Sequence, residues 1–483
     1  MKKLTVAVLV LALLAGTAGF VADGAASITH PQEQMKETAI LLDGVRLSAG
    51  ALVGGTAVYL PFRAVCEALG YTVSWTGGKS GVTVFASKDG DSVSVDVTAM
   101  QVTDNGHVYS AAVFSGEGVL LIAGRTYLDS GLFSTIFPIG SSYDKDRGAI
   151  TLSRRCLNAV AVLNETVLSQ TDYLKATVQY PQLKGLEDDA VQKMINELLK
   201  KEALDALTGG EENADNMAQA VKDGYTGAVG KCETTFDYVI AYNQNGLMSI
   251  VLQDYQYAGG AHGTTIQTAF TFDLISGRDL KLRDLTYGAT TINGVINSAI
   301  RQEINRRVST GDLSEFDFHP FKDIGEDPEF YLSNDGLVFY FQQYDYFPYA
   351  AGIQEFKVNY SEFGTMLGSR FGFLLAAPVT LDRTGLSTLP VGDIGRVILA
   401  GNPTTGYTWH YTVSDSSVLA LVSKDYEPSP GSGLVGAGGA YVWNFKALKA
   451  GKATLTFKYY RDWEGESSAT ADSTIVFNVS VSN

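Results

Sequence analysis

The run Asn402-Pro403-Thr404-Thr405-Gly406-Tyr407-Thr408-Trp409 concentrates turn formers, hydroxyls and aromatic rings in one short stretch. Pro403 and Gly406 are turn residues, and Tyr407 and Trp409 carry large rigid rings. Two further short loops follow, Gly436-Ala437-Gly438-Gly439 and Arg461-Asp462-Trp463-Glu464, each bounded by alternating apolar strands. Three such loops at one end of a small β-sandwich form a surface that can enter another protein's cleft, the geometry of a binding protein. Taken singly, the first loop is only a hairpin connection; the functional reading needs all three.

Catalytic alternatives are thin. His262 lies in Tyr257-Ala258-Gly259-Gly260-Ala261-His262-Gly263, with Asp254 nearby. Tyr257, Gly259, Gly260 and His262 form a candidate second ligand site, in which the histidine contacts ligand or holds structure. The five histidines, at 30, 107, 262, 319 and 410, show no metal-ligand spacing, and no Gly-x-Ser-x-Gly elbow occurs. Gly431-Ser432-Gly433-Leu434-Val435-Gly436 has the form of a dinucleotide fingerprint but is followed by a turn and a strand, not a helix. Asp144-Lys145-Asp146-Arg147-Gly148 is half a calcium loop without its bidentate Glu. The chain is read as non-enzymatic, with no cofactor and no metal.

The elements that position these residues belong to a long chain. Its 483 residues suggest about three domains, and its 45% apolar content is enough for each to bury a core. A net charge of −16 argues against nucleic-acid binding. Residues 1–26 read as a signal peptide: Lys2-Lys3, an apolar run from Leu4 to Leu14 too short to span a bilayer, then small residues. No second long apolar run follows, so the expectation is a secreted protein, held near the cell envelope, with no transmembrane anchor. Three cysteines make no disulfide scaffold; Cys66 reads as a buried hydrophobe, and a Cys156–Cys232 pair is open.

Periodicity divides the rest. Over 36–155 a weak repeat pairs Tyr59-Leu60-Pro61-Phe62, with Phe62, Val65, Cys66 and Leu69 on one helical face and a strand through Val73 and Trp75, with Thr126-Tyr127-Leu128, a helix bearing Leu132, Phe133 and Ile136, and the strand Ala149 to Leu152. Over 157–366 the pattern predicts strands at Val160–Val167, Tyr238–Tyr242, Met248–Leu252, Gln267–Asp273, Leu337–Phe341 and Glu355–Val358, with helices near 186–207 and 291–307. Over 374–483, period-two runs such as Ala453, Leu455, Phe457, Tyr459 and Ile475, Phe477, Val479, Val481 predict a sandwich. The expected fold is therefore multidomain, with α/β (α+β) N-terminal and middle domains followed by an all-β immunoglobulin-like sandwich.

Three resemblances follow from these residues. The repeat over 36–155 resembles the small stalk domain first named from the N-terminus of copper amine oxidases, which implies an accessory module without copper chemistry. The Tyr257–Gly263 peptide and the later loop Tyr346-Phe347-Pro348-Tyr349-Ala350-Ala351-Gly352 resemble paired extracellular domains of unknown function. Those domains occur in lysozyme-responsive anti-sigma factors and some peptidoglycan deacetylases. That implies a peptidoglycan or lysozyme-like partner for the middle region. The three loops of the sandwich, with Trp443 to Gly451 between them, resemble the chagasin family of cysteine-protease inhibitors. This implies reversible inhibition of papain-like proteases. Asn402, Pro403, Thr404, Thr405, Gly406 and Tyr407 would enter the cleft beside the enzyme's catalytic Cys and His. Gly436, Gly438 and Gly439 would lie along it, and Arg461 and Trp463 would anchor the far side. Asp462 stands where the family usually has Pro, which adds a negative charge and is expected to loosen that loop. The alternative reading is a cell-envelope binding or adhesion protein in which the sandwich is only a scaffold; a third is an envelope enzyme using His262.

Overall fold

The structure, a computed structural model, describes residues 35–482 apart from 43–44, 55–56, 79–80, 89, 110–117, 145–146, 156, 226–229, 287–288, 314–319, 364–365, 375–377 and 429–437. The expected signal peptide, Cys156 and Gly436 therefore lie outside the described residues. The chain forms two compact units, divided between Ser153 and Arg154.

In the first unit the repeat folds onto itself. Tyr59, Leu60 and Pro61 pair antiparallel with Asp129, Leu128 and Tyr127, so the two copies lie side by side. Each copy's strand runs directly into a short helix, Phe62–Ala68 and Ser130–Ile136. Asp129 caps the second helix by accepting from the Gly131 and Leu132 N–H groups. Phe62, Phe133 and Phe137 cluster in the core in tilted and edge-on contacts. An eight-stranded mixed sheet and a five-stranded antiparallel sheet share that core. Cys66 is buried within it, and burial raises its thiol pKa well above the ordinary value.

The second unit begins with a five-stranded sheet ordered Ala161–Gln170, Leu174–Lys184, Cys232–Gln244, Leu247–Tyr257, Thr264–Asp273. The second and third strands are parallel, and their crossover is the helix Asp189–Lys222. The expected helix near 186–207 is thus longer than the sequence suggests. It runs through Gly209-Gly210 because Gly210 is a contact and not a stop: a methyl there would overlap the Thr234 side chain. Asn245 and Gly246 both have positive φ, 58° and 73°, and close a two-residue hairpin between the third and fourth strands. Cys232 is a buried free cysteine. A three-stranded sheet (Phe330–Leu332, Gly336–Phe341, Gln354–Asn359) and the helix Ala289–Thr310 build the next core.

The C-terminal strands form two four-stranded sheets. One is ordered Val379–Thr380, Ile394–Gly401, Gly439–Ala447, Leu419–Pro428; the other Leu386–Pro390, Thr474–Ser482, Gly451–Arg461, Tyr407–Val413. Trp443, Phe445, Leu455, Phe457, Phe477 and Val479 fill the space between. The sandwich also packs on the middle region: Ile394 and Val422 join the core of the three-stranded sheet. Lys446 is buried there, its Nζ 5.2 Å from the Phe373 ring centre. The protein is multidomain, β-rich and closed by a β-sandwich.

Candidate functional site

The first loop is built from its own hydrogen bonds. Strand Ile394–Gly401 ends at Asn402, whose side-chain oxygen accepts from the Thr404 N–H at 3.1 Å and the Thr404 hydroxyl at 2.7 Å. Pro403–Thr405 makes one 3-10 turn, with Pro403 at its start, where a missing N–H costs nothing. The Thr405 hydroxyl donates to Asn402 O at 2.7 Å, and Gly406 N–H donates to Pro403 O at 3.0 Å. Gly406 sits at φ +80°, a left-handed conformation suited to glycine. Pro403, Thr404 and Thr405 are exposed at the apex. Behind them, the Tyr459 hydroxyl accepts from the Asn402 N–H at 3.0 Å.

The third loop lands on the first. Arg461 lies opposite Tyr407 in the strand register, and the Glu464 N–H donates to Arg461 O at 2.9 Å to close a turn over Asp462 and Trp463. Trp463 is 72% exposed, yet its ring covers Gly406: a methyl on Gly406 would overlap it, with Cζ3 and Cζ2 at 3.1 and 3.2 Å and Cη2 nearer still. The Arg461 guanidinium lies 4.5 Å from the Tyr407 ring centre and 5.6 Å from that of Trp463, and pairs with Glu464 at 3.0 Å. The turn over Asp462 is closed, and Asp462 Oδ1 lies 2.9 Å from His410 Nε2. His410 stacks on Tyr460 at 4.0 Å. On the same face, Lys458 hydrogen-bonds Glu466 and holds its carboxyl below the usual range, with His410 adding to the effect.

The second loop's described part joins them. Gly439 pairs with Gly401, and a methyl on Gly438 would sit 3.2 Å from Gly401 O and 3.8 Å from Asn402 Cβ. The fold therefore brings Asn402–Tyr407, Gly438, Gly439, Arg461 and Trp463 to one end of the sandwich. Trp443 is core, and Trp409 Nε1–H donates to Ala400 O at 3.0 Å beneath the first loop. The sequence reading missed Tyr459, which supports Asn402, and His410, which meets Asp462. Strand alternation places Tyr459 with Arg461, and nothing local marks His410.

The second candidate site is also assembled from distant peptides. His262 stacks on Tyr349 at 3.7 Å and 19°, so the Tyr257–Gly263 and Tyr346–Gly352 peptides meet. Gly259 and Gly260 both have φ +96°, and the Tyr257 hydroxyl donates to Gly260 O at 3.1 Å. His262 Nδ1 lies 2.9 Å from Gly263 O. These contacts are a carbonyl and an aromatic ring, neither of which relays a proton. No group of three metal-ligating side chains occurs among the described residues. Elsewhere in this region a cleft of about 700 Å³ opens between residues 320–329 and the strand Gly336–Phe341. Asp323, Asp327, Glu329, Asp345, Phe341 and Tyr346 help line it. Burial raises the Glu329 carboxyl. Among the described residues, none of the sequence-predicted site residues lines this cleft.

Four family profiles match the chain. Chagasin family peptidase inhibitor I42 covers residues 388–479, and Deacetylase PdaC covers 168–265. Protein of unknown function (DUF3298) covers 284–361, and Copper amine oxidase N-terminal domain covers 42–152. Chagasin of Trypanosoma cruzi is 33% identical over 84 residues, 17% of this chain and 76% of that relative. Immunogenic protein MPT64 of Mycobacterium tuberculosis is 30% identical over 138 residues, 28% of this chain, and the chain spans 58% of that relative. Among solved structures, a member of the DUF3298 family from Bacteroides fragilis is 22% identical with a TM-score of 0.36, over 44% of this chain and 96% of that one. A β-sandwich with loops gathered at one end, matched along most of chagasin's length, places the C-terminal domain in the class of peptidase inhibitors. Through that domain the chain belongs to the chagasin family.

Proposed function

We propose that the protein is an exported inhibitor of papain-like cysteine proteases, acting by reversible occlusion of the active-site cleft with three loops. The observation that carries this reading is the seating of Trp463 on Gly406, which joins the first and third loops into one wedge. The apex is shaped before encounter, because both threonine hydroxyls and the Asn402 side chain are already engaged within the loop. Little conformational entropy is then lost on binding. The exposed backbone of Thr404-Thr405 would lie beside the enzyme's catalytic Cys and His, Gly438 and Gly439 along the cleft, and Trp463 against its far wall as the aromatic anchor. No bond to the inhibitor need form or break.

The test is a titration of the whole chain against papain, with Thr405→Arg and Trp463→Ala alongside. The whole chain is used because Ile394 and Val422 of the sandwich are buried in the middle region's core. Nanomolar inhibition weakened by both changes is the expected result. Failure of the folded protein to inhibit papain or a panel of related enzymes would reduce the sandwich to a scaffold.

For the middle region we infer a cell-envelope ligand, peptidoglycan or a lysozyme-like protein. The favouring observation is the convergence of two glycine-containing peptides on the His262–Tyr349 stack. Co-sedimentation with purified peptidoglycan and binding to immobilised lysozyme, each compared with His262→Ala, test it; no binding to either rejects it.

A further inference from the structure

The third loop is held differently from the first. The turn Arg461-Asp462-Trp463-Glu464 is closed by Glu464 N–H donating to Arg461 O. This puts Asp462 at the second position of a β-turn, where a proline ring presets the backbone angles. Asp462 has no ring to do this. Its side chain instead turns back to strand Tyr407–Val413, where Oδ1 lies 2.9 Å from His410 Nε2. That nitrogen is shut off from solvent. The two atoms are in ion-pair contact without the alignment of a hydrogen bond, and the contact is attractive when the imidazole is protonated. His410 is fixed in turn by its stack on Tyr460, at 4.0 Å and 17°. The neighbouring charges have other partners: Arg461 is paired with Glu464, and Lys458 with Glu466. Asp462 and His410 therefore add a second side-chain contact between the turn and the strand that leaves the first loop, beside the one Arg461 makes with the Tyr407 ring.

We infer that His410 and Asp462 are a positioning pair, a side-chain brace that holds the Arg461–Glu464 turn so that Trp463 rests on Gly406 before any protease arrives. The inference rests on the inhibitory reading above and concerns how that site is kept in its binding shape. Neither residue need touch the enzyme. If loss of the brace lowers the seated population to about a tenth, apparent affinity falls roughly tenfold. Most of the change then appears in the rate of dissociation or in a slow fraction of association.

The experiment uses the full chain and papain, with Asp462→Asn, His410→Phe, the double variant and Asp462→Pro. Phe keeps the stack on Tyr460 and removes the ring nitrogen. Asp462→Asn and His410→Phe should each weaken inhibition roughly tenfold, and the double variant should be no weaker than either. Asp462→Pro, alone or with His410→Phe, should restore inhibition to within about twofold, because the ring supplies the turn geometry that the brace supplied. Unchanged inhibition in the single variants, additive losses, or no rescue by proline would each overturn the brace. A second readout does not depend on the protease. The Trp463 indole N–H resonance should be single and sharp in the wild type and Asp462→Pro, and exchange-broadened in Asp462→Asn. A resonance unaffected by Asp462→Asn overturns the inference whatever the inhibition. Absence of inhibition by the wild type would instead count against the inhibitory reading.

Discussion

Replacing Gly406 by Ala should disable the wedge while leaving the sandwich folded. Two effects combine. Gly406 has φ +80°, and an L-residue held in that region costs about 1–2 kcal/mol. The added methyl would also occupy space taken by the Trp463 ring. Trp463 is mostly exposed, so it would swing away and not strain the core. Displacing an aromatic anchor costs about 2 kcal/mol or more of binding, a loss of about 30-fold in affinity. The stability loss, about 1–2 kcal/mol, should lower Tm by only a few degrees. Inhibition progress curves against papain and a thermal melt of the same samples would separate the two. Gly406→Ala should approach Trp463→Ala in inhibition and stay near wild type in melting. Inhibition within twofold of wild type, with Trp463→Ala strongly impaired, would show that Trp463 does not depend on its seat and refute the argument.

Further outcomes are expected elsewhere. Thr405→Arg places a long cationic side chain at the exposed apex and should abolish inhibition without changing Tm. Gly210→Ala gains helix propensity of about 1 kcal/mol but overpacks against Thr234, so chemical denaturation should show no gain and up to about 2 kcal/mol of net loss. A stabilised variant would mean that the helix and sheet are not in contact there. Burial, reinforced by Asp91, pushes the Asp104 carboxyl up from 3.8 to about 7. The folded form therefore favours the protonated acid. That contribution is present below about pH 4 and is lost as pH rises to 7. Hydrogen exchange in the first unit should show stability falling over that window, and Asp104→Asn should flatten the slope; an unchanged slope assigns it to another group.

Much of the fold was legible because its signals are local. Helix Phe62–Ala68 follows from apolar spacing and ends against Gly70 at φ +91°. The Asn245-Gly246 turn follows from the tolerance of those two residue types for positive φ. The sandwich strands follow from alternation, since every second side chain points inward. Helix length was not legible at Gly209-Gly210. A glycine's low propensity is visible along the chain, but the threonine that requires its small size comes from another element.

The same division runs through the candidate site. The three loop motifs and the internal shape of the first are local properties, because Asn402, Thr404, Thr405 and Gly406 bond within five residues of one another. Folding in three dimensions was needed to seat Trp463 on Gly406, to lay Gly438 against Gly401, and to bring Asp462 to His410. The stack of His262 on Tyr349 arises in the same way. Each of these contacts joins residues on different strands or loops, and strand register and sheet packing set the distance between them. Residue type and spacing along one chain carry the first kind of information and not the second.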